Sequence, residues 1–306
     1  CSSRERTDCG LPRSPSPPIG RPRLDSPLPS DPGPASWKFP WPEDCIAEYT
    51  AYRVDTPLRI DGHLEEECWT RAPRSSRFVD LVSGAPTVHD TRVAVLWDDE
   101  NLYVGFWVEE PLVEAELTQR DSLIYNDNDV EVFIAGRDAY YEFEINALGT
   151  IYEVLFVWDD SLEAFPDLAR TDPGARPWNG VDFSNHPRGR RTGFWDWDFP
   201  GLRSAVAVDG TLNDNRDRDR GWSVELAFPW SGMTVLAGDG RSLPPVAGDT
   251  WRISFSRFNQ SREAPPAEDS SGWSLSPHGV WDSHIPELFP YVHFSRQPVT
   301  SLDQEG

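Results

Sequence analysis

The chain of 306 residues is poor in lysine, methionine, cysteine and long apolar runs, and each scarcity narrows what it can do. Lys38 is the only lysine, so its 28 basic residues are almost all arginine, set against 51 acidic ones. The net charge of −23 repels polyanions, which sets aside nucleic acid and anionic lipid headgroups as partners. No apolar run is long enough to span a bilayer. Cys1, Cys9, Cys45 and Cys68 are too few for a disulfide scaffold in a chain this long, although Cys45 and Cys68 could form one bridge in an exported protein. Gly-x-Ser-x-Gly, a Cys–His nucleophile pattern and a phosphate-cradling glycine loop are all missing. His63, His89, His186, His278, His284 and His293 show no metal-ligand spacing.

Aromatic rings, by contrast, are plentiful: 14 Trp, 15 Phe and 8 Tyr supply a sizeable core and leave rings for a surface site. The start, "CSSRERTDCG", followed by Pro- and Ser-rich sequence, looks like a mature bacterial lipoprotein with Cys1 as the acylated residue. Residues 1–42 then read as a flexible tether, because so little apolar surface cannot offset the cost of ordering it. Such a protein would be exported, as an outer-membrane or cell-surface lipoprotein or else secreted or periplasmic, touching a membrane only through its lipid.

From residue 43 the pattern changes to short strands separated by turns. "YTAYRV", "LRIDG", the hairpin "TRVAVLWDDENLYVGFWVEE", "LRSAVAVDG", "GWSVELAFPW", "TWRISFSRF" and "YVHFS" read as strands, and "HLEEECWTRA" as a brief helix burying Leu64 and Trp69. Helical periodicity is otherwise scarce. The expectation is an all-β domain over 43–296, an antiparallel, jelly-roll-like β-sandwich with one long irregular loop insertion at 159–200 and a loose tail over 297–306.

The segment "NDNDVEVFIAGRDAYYEFEINALGT" carries the most chemistry. A tight turn at "GRDA" pairs Ala135 with Tyr140, Glu131 with Glu144 and Asp129 with Asn146. Val130, Val132 and Ile134 then share the core side with Tyr141, Phe143 and Ile145. The other face, expected to be solvent-exposed, gathers Glu131, Glu142, Glu144 and Asn146. Like charges directly opposite each other cost roughly 0.2–1 kcal/mol per pair. Arg92, Arg252 or Arg257 from neighbouring strands, a divalent cation, or the hydroxyls of a sugar could each relieve that cost. With Tyr125 just before the strand and Trp178, Trp195, Trp197 and Trp281 nearby, the mixture suits a pyranose: rings for its apolar face, carboxylates and amides for its hydroxyls.

Two acidic loops suit an oxygen-ligated Ca²⁺, one with Asp121, Asp127 and Asp129, the other with Asp214, Asp217 and Asp219. Both also read as Asn/Asp-rich turns whose side chains bond their own backbone.

"LRIDGHLEEECWTRAP", "TRVAVLWDDENLYVGFWVEEP", "RDSLIYNDNDVEVFI", "YYEFEINALGTIYE", "GTLNDNRDRDRGWSVELAFPW", "GDTWRISFSRFNQ" and "WSLSPHGVWDSHIPELFPYVHFS" occur in this order. Together they resemble the bacterial family 9-like carbohydrate-binding proteins, relatives of the family 9 modules of xylanases, over roughly residues 50–295. The resemblance implies a β-sandwich without catalysis of its own, structural calcium in some members, and recognition of glucan or xylan chains or oligosaccharides. It also implies a clamp of two Trp side chains. Tyr125 falls on the first of these, and the second falls near Ser283, with Trp281 and His284 beside it. Glu131 matches a family Glu, and Glu144 stands where the family has Arg. The changed positions keep open a protein-interaction or scaffold role for the same sandwich. A glycoside hydrolase is disfavoured because Glu131 and Glu144 sit too close together on adjacent strands. A b-type haem, held in related sandwiches by Met and Lys or His, is disfavoured because Met233 lies in a turn and Lys38 in the tether.

Overall fold

The computed structural model describes residues 37–238, 240–260 and 269–302. Its strands are β1 (Glu48–Arg53), β2 (Val79–Asp80), β3 (Thr91–Trp97), β4 (Asn101–Glu109), β5 (Asp129–Ala135), β6 (Ala139–Asn146) and β7 (Ile151–Trp158). They continue as β8 (Arg176–Trp178), β9 (Arg191–Phe194), β10 (Arg203–Asp209), β11 (Gly221–Pro229), β12 (Thr250–Phe258), β13 (Gly272–Ser274) and β14 (Tyr291–Pro298). Short helices α1 (Glu67–Arg71) and α2 (Pro166–Thr171) lie among them.

The strands follow one path, β10-β11-β4-β3-β1-β14-β12-β5-β6-β7-β9-β8, with β13 bonded to β12 and to β2. The all-β expectation holds, with one correction: the sheet is mixed. β1 runs parallel to both of its neighbours, β3 and β14, and so joins an antiparallel set on one side to an antiparallel set on the other. The two sets close face to face. Phe106 of β4 meets Phe255 of β12 at 6.2 Å between ring centroids, and Phe228 of β11 meets Phe143 of β6 at 5.7 Å. Each of these rings is fully buried, worth about 1.5–3 kcal/mol apiece by area removed from water.

The β5–β6 hairpin has the register read from the sequence, with Asp129 opposite Asn146, Glu131 opposite Glu144 and Ala135 opposite Tyr140. Val130, Val132, Ile134, Tyr141, Phe143 and Ile145 join the main core, as alternation requires. Trp69 of α1 is buried, and its indole Nε1 donates to Glu225 of β11 at 2.8 Å.

Several boundaries differ from expectation. "LRIDG" forms no strand, since its backbone N–H groups at Asp61 and Gly62 are taken by the Glu225 carboxylate rather than by a neighbouring strand. The 159–200 stretch is not structureless: it contains α2, β8 and β9, and β9 pairs with β7. Packing begins before residue 43, because Trp41 is buried against Ile46, Ile285 and Leu288. It extends past 296, where β14 reaches Pro298 and Val299 is buried. Cys45 is disulfide-bonded while Cys68 carries a free thiol, so these two are not joined to each other. The proposed lipidation at Cys1 and the first 36 residues lie outside the described residues.

Candidate functional site

The outward side of β5, β6 and β7 is roofed, not bathed in solvent. Phe133, Tyr140, Val154, Phe156 and Trp158 point outward by alternation and form a second apolar cluster with Ile124 and Phe289, against which Trp178 and Trp195 pack. The 159–200 segment and the stretch before β14 thus cover most of this face. What stays open is a cleft of about 470 Å³, lined on one wall by Glu131, Glu142, Glu144 and Tyr152. Tyr125, Trp178, Trp195, Phe258, Gln260, Trp281, Ser283 and His284 also line it.

The expectation of exposed carboxylates is therefore corrected. Glu131, Glu142 and Glu144 are 2%, 4% and 1% exposed, and reach solvent only through the cleft. Each has a donor close by. Ser256 sits across from Glu131 and its Oγ donates to Glu131 Oε2 at 2.5 Å. The backbone N–H of Tyr125 donates to Glu144 Oε2 at 3.0 Å, and that of Phe258 to Asp129 Oδ1 at 3.0 Å. His284 Nε2 lies 3.3 Å from Glu142 Oε1.

Asp129, Glu131 and Glu144 each bring a carboxylate oxygen within 4.8 Å of the others. Two ionised carboxylates at that separation repel by on the order of 3 kcal/mol at an effective dielectric of about 20, well above the cost expected of an exposed pair. Arginine offers little relief. The Arg257 charge favours ionised Asp129 from a distance, but its hydrogen bonds go to Thr91 Oγ1, the Glu109 carbonyl, Glu110 and Asn259. Arg92 pairs with Asp90, and Arg252 stacks on Tyr291 at 3.5 Å. Among the described residues no guanidinium forms an ion pair with Asp129, Glu131, Glu142 or Glu144.

Protons respond to this arrangement. Burial pushes the Glu131 carboxyl up to about 7, against the lowering effect of Ser256 and of Ser283. The Ser283 hydroxyl nevertheless makes no well-formed hydrogen bond. Burial, and then Glu131 with Asp282, push Glu142 well above the carboxylate range; burial, and then Asp129 with the other glutamates, do the same to Glu144. Asp129 follows for the same reasons, burial first and Glu131 second. Burial also drives His284 down to about 3, so its contact with Glu142 is a hydrogen bond from a neutral ring and not an ion pair. Arg191 donates to Tyr140 Oη at 3.0 Å, which leaves the Tyr140 O–H to bond His284 Nδ1 at 3.2 Å. The Nε2 proton of His284 then faces Glu142.

The rings differ in what they leave free. Tyr125 is 39% exposed, and its ring stands perpendicular to Tyr152 at 6.2 Å. Trp281 lies over Gly272, where a Cβ would come within 2.7 Å of Cζ3, and stands perpendicular to Phe258. Trp195 is already covered: a Cβ on Gly193 would fall 2.4 Å from its ring, and the Arg176 guanidinium sits 3.5 Å over it. Trp178 is packed against His284 at 4.0 Å. Trp197 does not belong to the cleft. It packs on Tyr141 and Phe199 of the main core, because the chain turns at residues 195–196 after β9 ends. Asn146 is likewise outside, fully buried, with its Nδ2 donating to the Leu117 carbonyl and to Asp127.

The acidic loops are mostly turns. Asp214 pairs with Arg216; Asp219 accepts from the Val113 and Thr211 N–H groups, and Asp217 is exposed. Asp127 accepts from the N–H groups of Glu116 and Leu117, while Asp121 takes a left-handed turn with φ of 62°. Of the six, only Asp129 joins a cluster with ligating spacing. Residues that pattern reading missed include Tyr152, Arg176, Gln260 and Asp282. Alternation along "TIYEVLFVW" places Tyr152 outward, a usable signal. Nothing local marks Asp282, whose Oδ2 accepts from the N–H groups of Val181, Asp182 and Phe183 and pins that loop to the cleft.

A larger depression of about 700 Å³ is lined by residues of β4, β10 and β11; there Asp90 pairs with Arg92, Asp209 with Arg220, and Arg74 covers Trp107 at 4.0 Å. The buried carboxylates Glu131, Glu142 and Glu144 line the smaller cleft, not this one.

The carboxylate wall of that cleft lies within a recognisable segment of sequence. Residues 60–167 match the family described as carbohydrate family 9 binding domain-like. The matched residues include Tyr125, Glu131, Glu142, Glu144 and Tyr152, whereas Trp178, Trp195 and Trp281 lie beyond them. A candidate carbohydrate-binding protein from Bacteroides uniformis shares the fold of this chain, at a TM-score of 0.55 and 16% identity, covering 82% of this chain and 100% of the other. Two structures of a family 9 module from Caldicellulosiruptor kristjanssonii, with glucose and with cellotriose, each give a TM-score of 0.46 and 15% identity. They cover 81% and 84% of this chain, and 96% and 99% of their own. No curated protein matches it.

Proposed function

We propose that the cleft binds carbohydrate without transforming it, taking the end of a β-glycan chain or an oligosaccharide. The observation that carries this reading is the pairing of a carboxylate wall with free rings: Glu131, Glu142 and Glu144 face the same 470 Å³ space as Tyr125 and Trp281. A pyranose has an apolar face for a ring and an equatorial rim of hydroxyls. Hydroxyl donors suit carboxylates that lack cationic partners, and the unpartnered Ser283 Oγ suits a hydroxyl acceptor. Tyr125 and Trp281 would supply the stacking surfaces, an altered form of a two-ring clamp. Trp195 would stack only if Arg176 swung aside.

Hydrolysis is not part of the proposal. Carboxyl pairs that cleave glycosides stand about 5–5.5 Å or about 6.5–9.5 Å apart and flank the bond. Here Glu131 and Glu144 bring oxygens within 4.8 Å of each other on a single wall, so they do not flank a bond. Affinity should be modest, on the order of micromolar to millimolar, since each hydroxyl contact replaces one with water. An exported location belongs to the same proposal and is supported by the disulfide at Cys45, a bond that persists in oxidising compartments.

An array of soluble oligosaccharides tests the reading. Binding by at least one gluco- or xylo-oligosaccharide, competed by the free sugar, is expected. A chain that binds none of them, while remaining folded, would remove it.

A further inference from the structure

We propose that Asp129, Glu131 and Glu144 bind a divalent cation of the calcium class at the inner end of the cleft, and that this ion takes hydroxyls of the sugar as ligands. The inference rests on the carbohydrate reading above and adds to it the element that supplies positive charge.

The geometry is that of a ligand set. Oxygens bound to one calcium at about 2.3–2.6 Å cannot be farther apart than about 5 Å. One carboxylate oxygen from each of the three residues meets that limit, all lying within 4.8 Å of one another. All three side chains are at least nine-tenths buried. In each, one oxygen is already fixed, by Phe258 N–H on Asp129, Ser256 Oγ on Glu131 and Tyr125 N–H on Glu144. That anchoring aims the carboxylates without using up their second oxygens.

An independent sign comes from Asp129 Oδ2. It is buried and has no hydrogen-bond partner, a state that native proteins rarely leave uncompensated. Asp129 itself does not line the cleft, whereas Glu131 and Glu144 do, so an ion among the three would be held from behind by Asp129 and face the cleft in front. The donors are all hard carboxylate oxygens with no imidazole or thiolate among them, which favours calcium, magnesium or manganese over zinc or copper. Calcium takes six to eight oxygens. Three carboxylates therefore leave positions for water, or for a vicinal pair of sugar hydroxyls that displaces it.

The full chain, freed of metal by EDTA and dialysed, is titrated calorimetrically with calcium chloride alone. Saturable uptake of a single ion per chain is expected. Glu144→Gln and Asp129→Asn, which keep side-chain shape and are checked for folding by circular dichroism, should each weaken uptake by at least about tenfold. Asp214→Asn, in a turn away from the cleft, should leave it unchanged. An oligosaccharide that binds in calcium should lose at least about tenfold in affinity in EDTA. Absence of saturable uptake, or uptake indifferent to both cleft variants, overturns the ion site. Equal sugar affinity in calcium and in EDTA overturns the bridging role and leaves the carbohydrate reading standing. Calcium uptake by a chain that binds no glycan overturns the bridging role along with that reading.

Discussion

Replacing Glu131 by Gln should stabilise the metal-free protein in mildly alkaline solution and not in acid. The Glu131 carboxyl is raised from its ordinary value of 4.5 to about 7 by burial. Each pH unit between those values is worth about 1.4 kcal/mol, so the ionised side chain destabilises the fold by roughly 3 kcal/mol. Because the folded-state value lies above the unfolded one, this cost is absent below pH 4.5, grows as pH rises to about 7, and is complete above it. Glutamine has no charge to bury, and its amide oxygen can still accept from Ser256 Oγ, at a loss of about 1 kcal/mol for the weaker bond. The variant should therefore gain about 2 kcal/mol at pH 8 and lose about 1 kcal/mol near pH 4.5 relative to the parent. Urea denaturation in EDTA at both pH values, with unchanged m-values, reads the difference. A variant destabilised equally at both would refute the reasoning, since it would mean that Glu131 carries no unrelieved charge in the fold.

Two further substitutions separate cleft from core. Gly272→Ala puts a Cβ 2.7 Å from Cζ3 of Trp281, so the indole must move; oligosaccharide affinity should fall at least about tenfold while the chain stays folded, and unchanged affinity would show that Trp281 takes no part. Trp197→Ala should lower the urea midpoint by removing a ring packed on Tyr141 and Phe199, at a cost of about 2–4 kcal/mol, with sugar affinity within about twofold of the parent once folded. A large loss of affinity there would return Trp197 to the site.

The parts of this account legible in the sequence are those set by alternation and turn chemistry. Strict period two in "DVEVFIA" and "AYYEFEIN" placed Glu131 opposite Glu144, and the structure has that register. Alternation cannot say what lies against the outward face, so it leaves Glu142 and Glu144 looking exposed, whereas the 159–200 and 281–289 segments cover that face. Whether a Trp in such a segment faces the cleft or the core is also non-local: Trp195 and Trp197 are neighbours in sequence and belong to different clusters. The parallel pairing of β1 was invisible for the same reason, because partner choice between distant strands leaves no local mark. In "DGTLNDNRDRDRG" the Asp219 carboxylate accepts from backbone N–H groups of Val113 and Thr211, as turn chemistry requires. The cluster with ligating geometry instead draws on two strands, which no single-loop motif could reveal.

The claim on which most depends is that Tyr125 and Trp281 face a sugar across the carboxylate wall. Calorimetric titration of a gluco-oligosaccharide into the parent, Tyr125→Ala and Trp281→Ala chains, in calcium, measures it directly. A loss of about 1–3 kcal/mol of binding free energy in each variant, with the fold intact, is the predicted result. Affinity equal to the parent in both variants would contradict the placement of the site.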